Sequence, residues 1–313
     1  MAKFSIIIPV FGNSETIALT CRKIMNVFDD SLNRYTYEII MVDDGSPDNS
    51  FSEMRKLYEK YSNKITLVKL TRNFGQVPAM LAGYKTASGD AVISISADLQ
   101  DPIELMKEMV EKWEEGNEIV VAYREQREDS ILHRLFSRLA YSIARSSNPN
   151  IPQGGFDYVL MSKKAVEYVL SFRGRHKFFQ GDVLWSGLST AFIPYTRKSR
   201  QSGTSGYNFW SKYKMLIDWT LDASYLPIRF MSGLGIITSF AGALYCLIIV
   251  LNWYFNKIPF KGWAPIMIVF LIVGGIIMVM LGIIGEYLWR IYDDLRDKPL
   301  YIIESITQKE SPQ

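Results

Sequence analysis

Two stretches of this chain, Phe230 to Leu251 and Ala264 to Gly285, each run for 22 residues without a charged side chain. At ~1.5 Å per helical residue each reaches about 33 Å, enough to cross a hydrocarbon core of ~30 Å. Buried helices of soluble domains are seldom this long and apolar on every face. The 12 residues between the two runs include Trp253, Tyr254, Phe255 and Trp263, an aromatic girdle of the kind found at membrane–water interfaces. The pattern predicts a helical hairpin in a membrane, with both ends emerging on one side. Near the N-terminus only Phe4 to Val10 is apolar and Pro9 interrupts it, so no signal peptide is expected. Residues before the first span are therefore expected in the cytoplasm, and the tail after the second returns there. Arg229, Arg290, Arg296 and Lys298 flank the spans on that side, as the positive-inside rule asks, although Lys257 and Lys261 in the outer loop oppose it.

The rest of the chain sets a different pattern. Its 313 residues suggest about two domains. Lys and Arg number 35 against 32 Asp and Glu, a net charge of only +3, so no nucleic-acid partner is expected. Cys21 and Cys246 stand far apart, and His133 and His176 are the only histidines, which leaves neither a disulfide framework nor a zinc site. Apolar runs at Phe4–Val10, Glu38–Val42, Ile65–Leu70, Ala91–Ile95 and Glu118–Ala122 alternate with segments of helical periodicity such as Glu53–Tyr61 and Ile103–Trp113. Such alternation predicts βαβ units, a mostly parallel sheet and helices on both of its faces.

In sheets of this kind ligands bind beyond the carboxyl ends of the strands. The five expected strands end on Pro9-Val10-Phe11-Gly12-Asn13, Asp43-Asp44-Gly45-Ser46, Thr71-Arg72-Asn73-Phe74-Gly75, Ser96-Ala97-Asp98-Leu99-Gln100-Asp101-Pro102 and Tyr123-Arg124. Each has a plain reading as a turn or a helix cap; Asp101, for example, is placed to cap a helix with Pro102 first. Together they bring carboxylates, an amide and arginines to one sheet edge. Neither a GxGxxG fingerprint nor a Walker loop occurs.

At these residues the chain resembles the GT-A glycosyltransferases of family 2. Within them it is most similar to the polyprenyl-phosphate type, which includes dolichol-phosphate mannose synthase and bacterial undecaprenyl-phosphate glucosyltransferases. The resemblance covers almost the whole chain: PVFGN, VDDGSPDNS, LTRNFGQ, ADLQDP, the arginine-rich segment near 124–145, GGFDYVLM, and the tail GIIGEYLWRIYDDLRDKPLY. Two departures stand out. PVFGN replaces the family's PVYNE, and Ser96 replaces the first carboxylate of its DADLQ motif. The resemblance implies a Rossmann-like GT-A domain over 1–207, an interfacial amphipathic helix over 208–228, two transmembrane helices within 229–289 (about 230–251 and 264–285), and a cytoplasmic tail over 290–313.

It further implies transfer of one sugar, with inversion, from a UDP-sugar to a polyprenyl phosphate, with UDP-glucose and undecaprenyl phosphate as the expected pair. The setting would be the cytoplasmic membrane, and the resemblance allows a homo-oligomer. Donor contacts are expected from Pro9, Phe11, Asn13, Asp43, Asp44, Arg72 and Asp98. Of Asp43 and Asp44, one is expected to be structural. Asp98 and Gln100, two apart just past a strand, would hold a divalent cation, Mg²⁺ or Mn²⁺, against the leaving diphosphate. Arg124, Arg138 and Arg200 would receive the acceptor phosphate, since guanidinium groups bind phosphate bidentately. Arg134, Arg138 and Arg145 fall within roughly 40° of one another on an amphipathic helix over 131–145, suited to a membrane surface. Asp157 in GGFDY matches the family's catalytic aspartate, with Asp182 as its competitor. Two other functions compete. A processive polysaccharide synthase normally carries a QxxRW motif and more spans, both missing here, and a non-catalytic scaffold would explain Ser96 as decay.

Overall fold

A computed structural model describes residues 1–124, 150–152, 155–172, 174, 178–196, 226–256, 262–296 and 298–309. Its centre is an eight-stranded sheet in the order β7-β5-β6-β4-β1-β2-β3-β8. The strands are β1 (Lys3–Val10), β2 (Thr36–Asp43), β3 (Ile65–Leu70), β4 (Ala91–Ser94), β5 (Ile119–Arg124), β6 (Tyr158–Ser162), β7 (Thr190–Tyr195) and β8 (Ile303–Thr307). Pairing is parallel for β1–β2, β1–β4, β2–β3 and β5–β7, and antiparallel where β6 or β8 takes part.

The apolar runs are continuous because the central strands are covered on both faces. In β1, Ile6 and Ile8 enter one core and Ile7 enters the other, as the two-residue period of a strand requires. Helices α1 (Ile17–Asn26), α2 (Ser50–Lys60) and α4 (Met106–Glu114) cover the first face through Ile17, Met54 and Met109. Helices α3 (Gln76–Thr86), α5 (Lys163–Ser171) and α6 (Phe179–Trp185) cover the second through Met80, Val166 and Val183. The α3 helix lies directly on β1: a Cβ at Gly83 would stand 2.3 Å from Cγ2 of Ile7.

Two long helices follow, α7 (Leu226–Asn256) and α8 (Trp263–Leu295). They are 31 and 33 residues long, past the expected spans at both ends. The sequence estimate stopped at charges, but backbone hydrogen bonding does not, and α8 continues through Glu286 and Arg290. Their large apolar side chains face outward rather than into a core, with Phe240 73 % and Phe270 70 % exposed. Apolar helices left bare by the protein suit lipid.

The tail does not simply trail away. It returns to the sheet as β8, antiparallel to β3, with Thr71 N–H donating to Ile302 O at 3.1 Å and Lys69 paired with Glu304 at 2.9 Å. Leu300, Tyr301 and Ile303 pack against the second core beside Phe74 and Val77. Ending the chain after Pro299 should therefore lower the unfolding midpoint of the full-length protein in detergent by several degrees, at about 2–4 °C per kcal/mol lost. A melting curve superimposable on that of the intact chain would show that β8 adds nothing.

Candidate active site

The parallel strands β1 to β5 and β7 all end on one edge of the sheet. Because β6 runs the other way, its first residue sits beside Ala122, and Asp157 enters from that same edge. The site residues thus converge through topology, from segments far apart in the chain.

The loops after β1 and β2 are stapled together. Asn13 N–H donates to Ser50 Oγ at 2.8 Å, Gly12 N–H to Ser46 Oγ at 3.3 Å and Ser14 N–H to Asp48 at 3.2 Å. Asn13 turns its side-chain oxygen to Phe11 N–H at 3.1 Å, so part of its polar capacity shapes the turn. Pro9 is half-buried and the Phe11 ring is 49 % exposed at the rim.

The two aspartates after β2 divide their work. Asp44 accepts from Phe74 N–H at 2.7 Å and Gly75 N–H at 2.9 Å, one on each carboxylate oxygen. It holds the β3–α3 loop against β2. Gly45, at φ +67°, completes the junction: a Cβ there would lie 2.7 Å from Arg72 C and Asn73 N. Asp43 accepts only from Ser46 N–H, at 3.2 Å, among the described residues. Of the pair, Asp44 is the one whose two carboxylate oxygens are both engaged by backbone amides. Arg72 lies on the clamped loop with its guanidinium 4.1 Å from the centre of the Phe74 ring.

Burial pushes the Asp44 carboxyl up to about 6, outweighing the two amide hydrogen bonds that lower it. The native state therefore takes up this proton at a higher pH than the unfolded chain, and the protonated form loses an acceptor for one loop amide. Affinity for UDP-glucose, the donor that the family resemblance implies, should weaken in calorimetry as pH falls through about 6. Asp44→Asn should bind poorly and without that step, because its single acceptor oxygen cannot serve two N–H groups. An identical pH step in Asp44→Asn would trace the effect to another group.

After β4 the acidic loop turns sharply, with Leu99 at φ 59°, a conformation uncommon for a residue with a branched side chain. Asp98 Oδ1 accepts from Ser96 Oγ at 2.6 Å and from Gln100 N–H at 3.1 Å. Ser96 Oγ also lies 2.8 Å from Asp101 Oδ2. Asp101 does not cap the following helical turn, as its place before Pro102 suggested; that turn has no side-chain cap. Its Oδ1 instead accepts the Tyr195 hydroxyl at 2.6 Å. The loop offers carboxylate, amide and hydroxyl oxygens, a donor set that suits a hard cation. Among the described residues no three His, Cys, Asp or Glu side chains gather, so a cation on Asp98 and Gln100 would draw other ligands from a bound diphosphate or water.

Arg124 ends β5 almost buried, 9 % exposed. It donates from Nη2 to Asp157 and from Nε to the Tyr195 hydroxyl, both at 3.4 Å. Burial opposes its charge, but Tyr195 and Asp157 more than offset this, and the guanidinium is held above its ordinary pKa. Burial, reinforced by Asp101, also raises Tyr195, which keeps its proton as a donor. Asp157 remains partly open, its side chain 36 % exposed. The carbonyl of the preceding Phe156 accepts from Gln180 Nε2 at 3.0 Å, which fixes the approach to Asp157. Asp182 lies in the first turn of α6. Arg138 and Arg200 lie outside the described residues, as do residues 131–145, 197–206 and 208–225.

Sequence reasoning missed Tyr195 and Gln180 and misread Asp101. Only Asp101, inside ADLQDP, carried a signal; Tyr195 ends an ordinary strand in a Phe-Ile-Pro-Tyr run.

A largely parallel sheet with helices on both faces, its strand ends carrying stapled loops and an acidic turn of oxygen ligands, is the architecture of the GT-A class of nucleotide-sugar transferases. Residues 5–201 match the family described as Glycosyl transferase family 2, and the chain belongs to that family; it is a glycosyltransferase. It is 32 % identical over 309 residues to the bactoprenol glucosyl transferase of Shigella phage SfV, covering 98 % of this chain and 100 % of that one. It is 31 % identical over 306 residues to the prophage bactoprenol glucosyl transferase homolog of Escherichia coli (strain K12), covering 97 % and 99 %. The glucosyl-3-phosphoglycerate synthase of Mycobacterium tuberculosis, solved with Mn²⁺, UDP and glucosyl-3-phosphoglycerate, shares the fold at a TM-score of 0.52 and 17 % identity, covering 71 % of this chain and 80 % of that one.

Proposed function

We propose that this protein transfers glucose from UDP-glucose to undecaprenyl phosphate, with inversion, at the cytoplasmic face of the cell membrane. The observation that carries the reading is the end-to-end likeness to bactoprenol glucosyl transferases, membrane helices and tail included. The hairpin of α7 and α8 would hold the chain in the membrane as a multi-pass protein, and the return of the tail to β3 supports both helix ends lying on the catalytic side.

In this reading Pro9, Phe11, Asn13, Asp43 and Arg72 line the nucleotide side, and Asp44 acts through the loop it clamps. Asp98 and Gln100 would hold Mg²⁺ or Mn²⁺, which when bound neutralises charge on the departing diphosphate. Arg124, Arg138 and Arg200 would receive the acceptor phosphate. That phosphate is already largely ionised near neutral pH, its second pKa being about 6. Asp157 therefore need not remove a proton; its work is to orient the acceptor oxygen in line with the anomeric carbon, held in place by Arg124.

The test is a panel of labelled UDP- and GDP-sugars given to membranes containing the protein, with added undecaprenyl phosphate, followed by solvent extraction. Label from UDP-glucose is expected in the lipid fraction. Label in a polymer would favour a processive synthase, and label in neither would overturn the reading.

A further inference from the structure

The donor-side acidic loop and the Arg124–Asp157 pair are joined by an unbroken chain of polar contacts. Asp98 meets Ser96 at 2.6 Å, Ser96 meets Asp101 at 2.8 Å, and Asp101 meets the Tyr195 hydroxyl at 2.6 Å. Tyr195 meets Arg124, and Arg124 meets Asp157, each at 3.4 Å. We propose that Tyr195 is a positioning residue that sets the acidic loop and the Arg124–Asp157 pair in register, acting on Asp98 through Asp101 and Ser96. The inference rests on the reading of Asp98 as a cation ligand.

The chemistry of the chain favours this role. A serine hydroxyl has one hydrogen, yet Ser96 stands within hydrogen-bond distance of two carboxylates. Which of them it serves depends on how Asp101 is held. Asp101 is 3 % exposed, and its other oxygen accepts the hydrogen bond of the Tyr195 hydroxyl. With that bond made, Asp101 is fixed at one end and Ser96 is free to donate to Asp98, orienting its carboxylate. Without it, Asp101 would compete for the Ser96 hydrogen, and Asp98 would lose part of its support. On the other side the Tyr195 oxygen accepts from Arg124 Nε, which leaves Nη2 aimed at Asp157. One hydroxyl thus serves both halves of the site, and it does so from β7, a strand that contributes no other polar side chain to this network. The ring of Tyr195 has a separate task, packing edge-on against Tyr158 with centroids 6.3 Å apart. Tyr195→Phe keeps that packing and removes only the hydroxyl.

The experiment uses the full-length protein in detergent, with Mn²⁺ affinity measured by calorimetry in the presence of UDP, for Tyr195→Phe, Ser96→Ala, their double mutant and Asp98→Ala. Tyr195→Phe should weaken Mn²⁺ on the order of tenfold, the size of one hydrogen bond to a charged group. Ser96→Ala should do the same, and the double mutant should be no weaker than the weaker single, because both act on Asp98 through one path. Melting curves should stay within a few degrees of the parent. Independent, additive losses would overturn the relay, as would an unchanged affinity in Tyr195→Phe while Asp98→Ala abolishes binding. If Asp98→Ala itself leaves Mn²⁺ affinity intact, the cation site is misplaced and the relay falls with it.

Discussion

Asp157→Asn should lower turnover at least ~10²-fold while leaving donor binding nearly intact, the low end for loss of a proton-transfer or orienting group. The substitution keeps the shape of the side chain and removes its charge. What it leaves behind is a nearly buried guanidinium: Arg124 is 9 % exposed and loses its carboxylate partner at 3.4 Å. Asn can still accept a hydrogen bond, but the ion pair is gone, and an incoming phosphate becomes the natural counter-charge for Arg124. The acceptor should therefore bind at least as well as before, in a position set by Arg124 alone rather than by the Arg124–Asp157 pair. A fall in kcat with no rise in the acceptor KM is the expected signature. UDP affinity should not move, because the substitution acts on the pair that Asp157 makes with Arg124 at the end of β5, away from the β1 and β2 loops. Unchanged turnover in the purified mutant would transfer the role to Asp182.

The first five strands were legible because buried parallel strands write themselves as Ile- and Val-rich runs bounded by turn residues. Of the three that sequence reading passed over, β8 lacks that signature for a physical reason. In β8 four of five residues are exposed, since an edge strand is covered on few sides, and it lies 233 residues beyond its partner β3 by the spacing of Leu70 and Ile303. The β6 strand reverses direction within a sheet whose other central strands are parallel, and nothing in Tyr158–Ser162 states that direction. The roles of Asp43 and Asp44 were equally hidden. Consecutive residues at a strand end point to opposite sides, so the choice between them depends on which side the β3–α3 loop approaches, and only Gly45 hints at so close a contact. Tyr195 was invisible because its hydroxyl meets Asp101 and Arg124, 94 and 71 residues away in the chain.

Asp98→Ala should remove the divalent-dependent part of donor binding altogether. Asp98 stands in the most tightly prepared turn of the site, with Leu99 at φ 59° and one carboxylate oxygen already receiving the Ser96 hydroxyl and the Gln100 amide. Those two donors orient the carboxylate before any ligand arrives, so its loss cannot be repaired by a neighbour shifting inward. Gln100 alone supplies a neutral oxygen, far weaker for a hard divalent ion than a carboxylate. The turn itself should survive, because Ser96 can donate to Asp101, which Tyr195 continues to hold. Calorimetry with UDP, with and without Mn²⁺, should show a cation effect in the parent and none in the mutant, at an unfolding midpoint within a few degrees. Ser96→Asp probes the same site from the opposite direction. It would place a third carboxylate where a hydroxyl now bridges two, at 2.6 and 2.8 Å, so like charges crowd together until a cation arrives. Mn²⁺ affinity should rise while the metal-free protein melts earlier. Equal affinity in parent and Ser96→Asp would mean that position 96 does not face the ion, and a cation effect that persists in Asp98→Ala would place the ion on other ligands.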